Sequence, residues 1–452
     1  MSGKSGGESL IIDGGVRLEG EVAVSGAKNA ALPIMAACLL AEGPVCLAGV
    51  PWLRDVATLT AVLQRLGVSV QGDRRGRVRL ETVDHAPTQA SYPLVRRMRA
   101  SFCVLGPLLA RRRHAVVALP GGCTIGHRPV DLHLAGLAQL GAEIKLQRGY
   151  VVARAPRLRG AELNLCGPRG PSVTGTANLL CAATLARGRT VIQGAAREPE
   201  LVDLAKFLNA LGARIAGIGT STLEVVGVKQ LAADRQLAAD GYRIIPDRIE
   251  AATLLIAAAI TGGRVGVTGI VADHLGAVRQ VLHEAGVEVR WQEGRAQVGG
   301  QSAVRGFAVD ALPYPGLPTD VQPLLVALAC VAQGRSLIGD TVFPQRWRHV
   351  AELVRMGACI QRAGSAVVVT GTGTGMMAGS PQNRLQGAPV VGSDLRATAA
   401  LVLAGLAAAG RTSVGGIHHL DRGYDHLDQK LNQLGARVAN QTGVSLGVRC
   451  SS

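Results

Sequence analysis

Aromatic side chains are scarce in this sequence, 3% of 452 residues, so no aromatic-rich layer can fill its interior. Alanine, valine, leucine and 59 glycines must do so, which favours many small, closely approaching elements. Long apolar runs are missing too: the stretch 251–260 is among the longest, and a bilayer span needs about 20 residues. No Cys-x-x-Cys occurs and the nine cysteines are an odd number, so neither a disulfide framework nor a zinc site is supported. There is no Walker loop, no glycine-rich dinucleotide fingerprint after a strand, and no histidine or carboxylate spacing suited to a metal. The first residues are polar and glycine-rich, without the apolar stretch of a signal peptide. A soluble, cytoplasmic protein with no membrane partner, no metal and no cofactor is expected.

Acidic residues are outnumbered, 32 against 48 lysines and arginines, which gives a net charge of +16. Nucleic acid is one partner that such a charge suits. A deep site for a small polyanion is another. The densest clusters are Arg96, Arg97 and Arg99, and Arg111 to Arg113. No zinc finger, aromatic RNA-binding motif or basic tail accompanies them.

What the chain does contain is a repeat. A helical apolar pattern ending in glycine, followed by alternating apolar residues, recurs six times, at 59–70, 134–144, 204–215, 278–289, 350–360 and 427–438. The closing glycines, Gly67, Gly141, Gly212, Gly286, Gly357 and Gly435, lie 71 to 78 residues apart. Each suits a helix C-cap, where a left-handed backbone is needed. A second, alanine-rich helix with a glycine turn and a short strand recurs in register, more loosely around 103–119. Six units of two helices and several short strands predict an α/β fold.

Candidate chemistry lies where glycine and proline interrupt this pattern. The stretch 119–133, LPGGCTIGHRPVDLH, places Cys123 on a bendable loop with Arg128, Asp131, His127 and His133 within ten residues. A thiol beside a fixed cation is a candidate nucleophile or acid; a lone buried cysteine is equally an inert small hydrophobe. Lys28 and Asn29 precede an alanine-rich helix whose free amides would favour an anion. Arg99 opens another helical stretch. Ser172 and Val173 sit in a polar turn before an apolar helix, and this too is ordinary capping chemistry. Asp320 opens the helix after a proline-rich connection, as a cap or as a base. Asp394 with Arg396, and Asp421 with Arg422, open helical patterns, and an arginine there opposes the helix dipole, so each is expected to serve a bound anion.

Together the motifs SGAKNAALPI (25–34), RMRAS (97–101), the Cys123 loop, AAREPELVD (195–203), PDRIEA (246–251), PTDVQ (318–322) and DRGY (421–424) resemble the UDP-N-acetylglucosamine 1-carboxyvinyltransferase family of enolpyruvyl transferases, from about Leu10 to Gly447. The resemblance implies an inside-out α/β barrel of two domains, three repeats each: 28–244, and 1–27 with 245–452, with the site in the cleft between them. It implies catalysis by Cys123, Asp320, Asp394 and Lys28. Phosphoenolpyruvate would be held by Lys28, Arg128, Arg346, Arg396 and Arg422. The UDP-sugar would be held by Asn29, Arg99, Arg128, Asp131, Ser172, Val173, Asp320 and Val342. The implied partners are these two small molecules, the implied cofactor none, and the implied assembly a monomer or weak homo-oligomer. The sequence departs from the family pattern at Gly170, Thr174 and Pro344, on the nucleotide side. An enolpyruvyl transferase acting on another nucleotide, such as UMP, is therefore the alternative acceptor reading, and a basic nucleic-acid-binding repeat protein the alternative of a different class.

Overall fold

The computed structural model describes residues 8–73, 75–121, 129–300, 303–373 and 385–441. All six predicted outer helices are present: Arg54–Arg65, Asp131–Gln139, Pro199–Ala210, Gly276–Glu284, Arg348–Arg355 and Leu427–Gln433. Each of the six closing glycines has a positive φ, between 75° and 97°. Each is followed by a strand, for example Val68–Gly72 and Arg437–Gln441. The glycine is required because the chain reverses from helix to strand through a backbone region that side chains with a Cβ avoid.

The chain divides into two units. One comprises Met1–Val24, Arg248–Leu312 and Leu317–Ser452; the other comprises Ser25–Asp247 with Pro313–Gly316. The boundaries expected from the sequence are 27/28 and 244/245.

Within the Ser25–Asp247 unit, three four-stranded sheets share one pattern: a parallel edge pair followed by two antiparallel neighbours. The edge strand of the first sheet, Tyr242–Arg243, comes from the far end of the unit and pairs with Val45–Ala48. The other unit repeats the pattern in three more sheets. Here Ser9–Asp13 inserts between Arg411–Gly415 and Arg437–Gln441, and Glu19–Ala23 pairs with Arg264–Thr268. The first two strands of the chain thus complete sheets of the C-terminal half. Unpaired strand edges are costly, so each unit closes on strands from both of its ends.

The alanine-rich helices lie inside. Arg248–Ile260 and Gln322–Cys330 are buried along their whole length, and Leu395–Ala407 nearly so. In the other unit Lys28–Ala37, Val173–Thr184 and the first turns of Leu105–Arg112 play this part. A helix apolar on every face has no solvent side and must be covered all round. Small side chains let three such helices fit within a ring of short sheets, which is why so few aromatics suffice.

One expectation needs correction. Asp421-Arg422 does not open a helix: it ends the 3₁₀ turn Ile417–Arg422, and the next helix starts at Leu427. Of the arginine cluster at 111–113, Arg113 is exposed and the other two are engaged within the protein. Arg111 pairs with Glu42 at 3.0 Å, and Arg112 donates to the carbonyls of Pro87, Leu66 and Asp84. They tie a helix end to neighbouring loops.

Candidate active site

Each unit carries its own cluster of polar side chains. In the Ser25–Asp247 unit Lys28 is the first residue of a buried helix, and its Nζ donates to Asp55 Oδ2 at 3.2 Å. Lys28 is 8% exposed and Asp55 4%. A buried ammonium at a helix start is opposed by desolvation and by the helix dipole, so a carboxylate partner is what holds it there. The next residue, Asn29, is exposed. Asp55 carries no distinguishing signal in the sequence, because an acidic residue in the first turn of an outer helix is ordinary helix-start chemistry.

Ser172 caps the Val173–Thr184 helix by accepting from the Gly175 amide at 3.2 Å, as the turn chemistry predicts. Val173 is exposed. The unusual order Thr174-Gly175 has a structural basis. His133 is buried, and its Nδ1 takes a hydrogen bond from Asn178 Nδ2 at 2.9 Å. That leaves Nε2 as the protonated nitrogen, which donates to Thr174 Oγ1 at 3.2 Å. Gly175 then occupies the crowded position, where a Cβ would lie 2.6 Å from Ser172 Oγ. Gly170 has φ +91°, and a Cβ there would meet Pro313 at 2.6 Å, so a lysine at this position would be strained. Arg99 donates to the carbonyl of Pro129 at 3.1 Å, and Asp131, exposed, begins the following helix. Cys123, His127 and Arg128 lie outside the described residues.

The second cluster belongs to the other unit. Asp320 is not a helix cap: the helix Gln322–Cys330 begins after it, and its carboxylate is held by two arginines. Arg346 Nη1 meets Oδ1 at 2.9 Å and Arg396 Nε meets Oδ2 at 3.1 Å. Arg346 also reaches Asp394 Oδ1 at 3.5 Å. Asp394 caps the Leu395–Ala407 helix, accepting from the amides of Arg396 and Ala397. Arg396, 1% exposed, lies with its guanidinium 4.9 Å from the centre of the Tyr424 ring, whose hydroxyl meets Thr253 Oγ1 at 2.9 Å. Val342 sits half-buried in the turn that leads to Arg346. Pro344, the residue that departs from the family segment, accepts from Trp347 Nε1 at 2.9 Å and so closes that turn. Asp320, Arg346, Asp394 and Arg396 thus form one network of two carboxylates and two guanidiniums. Arg422 lies two residues before Tyr424.

His349, 2% exposed, lies within electrostatic reach of this network. Burial pushes it down to about 3 from an ordinary 6.5, with Asp394 raising it and Arg346 lowering it. The unfolded imidazole binds a proton that the folded one refuses. Stability linked to His349 is therefore complete above pH 6.5 and is lost as pH falls towards 3. Urea unfolding followed across that window should show a shallower acid loss in His349→Gln than in the parent. Equal slopes would remove His349 as a cause.

A family model described as EPSP synthase (3-phosphoshikimate 1-carboxyvinyltransferase) matches residues 12–431. Among curated proteins, a UDP-N-acetylglucosamine 1-carboxyvinyltransferase of Geobacter metallireducens is 47% identical over 431 residues, 95% of this chain and 99% of its own length. The chain belongs to that family. A Coxiella burnetii member is 48% identical over 434 residues, 95% of each chain. Among solved structures, the enolpyruvyl transferase NikO from Streptomyces tendae superposes with a TM-score of 0.84 at 25% identity, covering 96% of this chain and 99% of that one. EPSP synthase from Acinetobacter baumannii, at 19% identity, shares the fold with a TM-score of 0.74, covering 96% of this chain and all of that one. The α/β fold expected from the repeats is the fold of these enolpyruvyl transferases. No helix among the described residues is long and apolar enough to cross a membrane.

Proposed function

We propose that this protein transfers the enolpyruvyl group of phosphoenolpyruvate to the 3-hydroxyl of UDP-N-acetylglucosamine and releases phosphate, a step of peptidoglycan precursor synthesis. The observation that carries this reading is the near-full-length identity to enzymes named for that transfer. The chemistry of the two clusters supports it. Phosphoenolpyruvate brings a phosphate and a carboxylate and the nucleotide adds a diphosphate, so several fixed cations are needed. Lys28 and the arginines 128, 346, 396 and 422 supply them. Asn29, Arg99, Asp131, Ser172, Val173 and Val342 take the nucleotide sugar.

In the addition step Asp320 accepts the proton of the sugar hydroxyl, whose oxygen bonds to the central carbon of phosphoenolpyruvate. Cys123 delivers a proton to the methylene carbon, making it a methyl group. In the elimination step that methyl group loses a proton, aided by Asp394, the carbon–carbon double bond reforms and phosphate departs. The reaction involves no net redox change, so the protein's own acids, bases and cations suffice. The protein is proposed to work in the cytoplasm, as a monomer or weak homo-oligomer, with small molecules and not nucleic acid as partners.

The departures at Thr174 and Pro344 are each met by a local hydrogen bond, and Gly170 by a backbone and a close neighbour that suit only glycine. They therefore do not by themselves move the acceptor away from the UDP-sugar. Phosphate release from phosphoenolpyruvate, measured with UDP-N-acetylglucosamine, UMP and shikimate 3-phosphate in parallel, tests this. Turnover is expected with the first alone. Turnover with UMP and none with the UDP-sugar would overturn the acceptor assignment.

A further inference from the structure

We infer that Asp340, acting through Thr319, is the positioning residue that sets Arg346 against Asp320. This rests on the proposed reaction for its catalytic meaning, and on geometry for the placement. Asp340 ends the strand Arg335–Asp340 and is 1% exposed. Its Oδ2 accepts from the Thr319 hydroxyl at 2.6 Å, and its Oδ1 accepts from the Phe343 amide at 2.6 Å. These donors lie on different segments. Thr319 belongs to the loop that carries Asp320, and Phe343 to the turn that carries Val342 and Arg346.

Thr319 is the hinge of the argument. Its hydroxyl proton goes to Asp340, so its oxygen is free to accept, and Arg346 Nη1 lies 3.2 Å away. The same Nη1 reaches the Thr319 carbonyl at 3.0 Å and Asp320 Oδ1 at 2.9 Å. Asp340 fixes the direction of the hydroxyl, the hydroxyl and carbonyl fix the guanidinium, and the guanidinium fixes the carboxylate of Asp320. No guanidinium or ammonium forms an ion pair with Asp340 among the described residues. Burial raises its carboxyl above the ordinary range, while the amide of Phe343, the Thr319 hydroxyl and the nearby charge of Arg346 oppose that shift. A buried carboxylate without an ion-pair partner is costly to keep, and holding two loops in register gives it a purpose.

The test is a double-mutant cycle on the whole enzyme. Thr319→Val keeps the shape and removes the hydroxyl. Thr319→Ser restores the hydroxyl. Asp340→Asn keeps the shape and leaves one of its two donors without an acceptor. Thr319→Val and Asp340→Asn should each lower kcat about 10- to 100-fold, as expected for a misplaced reacting group, with KM for both substrates nearly unchanged. The double variant should be no worse than either single, because both break one chain. Thr319→Ser should recover most of the loss.

Exchange of the Arg346 guanidinium protons, followed by nitrogen-15 NMR and assigned with Arg346→Lys, gives a second readout that needs no turnover. It should be about 10-fold faster in both single variants and no faster in the double. Unchanged exchange, additive kcat losses, or lowered melting temperature with full kcat per folded molecule would overturn the inference. If the parent enzyme turned over no acceptor, the enolpyruvyl reading would fall, and the exchange rates would still decide whether Asp340 holds Arg346.

Discussion

Replacing Asp320 by asparagine is expected to cut kcat about 10²- to 10⁴-fold, the usual contribution of a positioned general base. The change is nearly isosteric, so it alters charge and hydrogen bonding rather than shape. The carboxylate is held at both oxygens, by Arg346 and Arg396, and retains 28% side-chain exposure through which a hydroxyl can approach. An amide keeps one acceptor oxygen but turns an N–H towards one of the guanidiniums. Arg396 is almost fully buried, and a buried charge that loses its partner costs about 3–5 kcal/mol. The variant should therefore melt at a lower temperature as well as turn over slowly. The two effects can be parted by measuring kcat per folded molecule, well below the melting transition. Arg396→Lys supplies the control, since it keeps Asp320 and a charge but loses the planar guanidinium over Tyr424. It should destabilise and raise KM for phosphoenolpyruvate, which Arg396 is proposed to hold, while kcat falls far less than in Asp320→Asn. An Asp320→Asn enzyme with parental kcat would sink the assignment of Asp320 as base.

The second large effect concerns Cys123. Cys123→Ser should lose most activity, because a serine hydroxyl is too weak an acid to protonate carbon near neutrality. Cys123→Asp keeps a proton donor and should retain turnover. Fosfomycin, a small phosphonate epoxide that resembles phosphoenolpyruvate, should alkylate the parent thiol if the cations proposed for phosphoenolpyruvate orient the anion for attack on the ring. The Cys123→Asp enzyme has no nucleophile there and should escape. UDP-N-acetylglucosamine should hasten the alkylation if it binds better to the conformation that reacts. Mass spectrometry should place the adduct on Cys123 and on none of the other eight cysteines. The described cysteines give a physical reason for that selectivity. Burial pushes the Cys38 and Cys181 thiols far above the ordinary thiol range and Cys330 up to about 12, so none of the three offers a thiolate. Exposed Cys166 and Cys359 are the informative competitors. An adduct on either, or a fully active Cys123→Ser enzyme, would return Cys123 to the status of an inert thiol.

By itself the sequence determined the repeat, the helix ends and the motifs. These are local properties: a glycine is needed wherever helix turns to strand, and alanine-rich helices announce that they are covered on all sides. Both can be read within about a dozen residues, and the six positive-φ glycines follow directly. The capping role of Ser172 was legible for the same reason, because a cap bonds to amides two or three residues away, and so was the helix start at Asp394. Tertiary structure alone decided which side chains meet over long separations. Asp55 reaches Lys28 across 27 residues, and Asp320 reaches Arg396 across 76. It turned Asp320 from a cap into the shared partner of two arginines. It gave Thr174 a bond to His133, and it placed Asp340 behind Thr319. None of these pairs has a period or spacing to betray it. A buried charge is stable only where its partner arrives from elsewhere in the chain, and that arrival is a consequence of how the sheets and helices close.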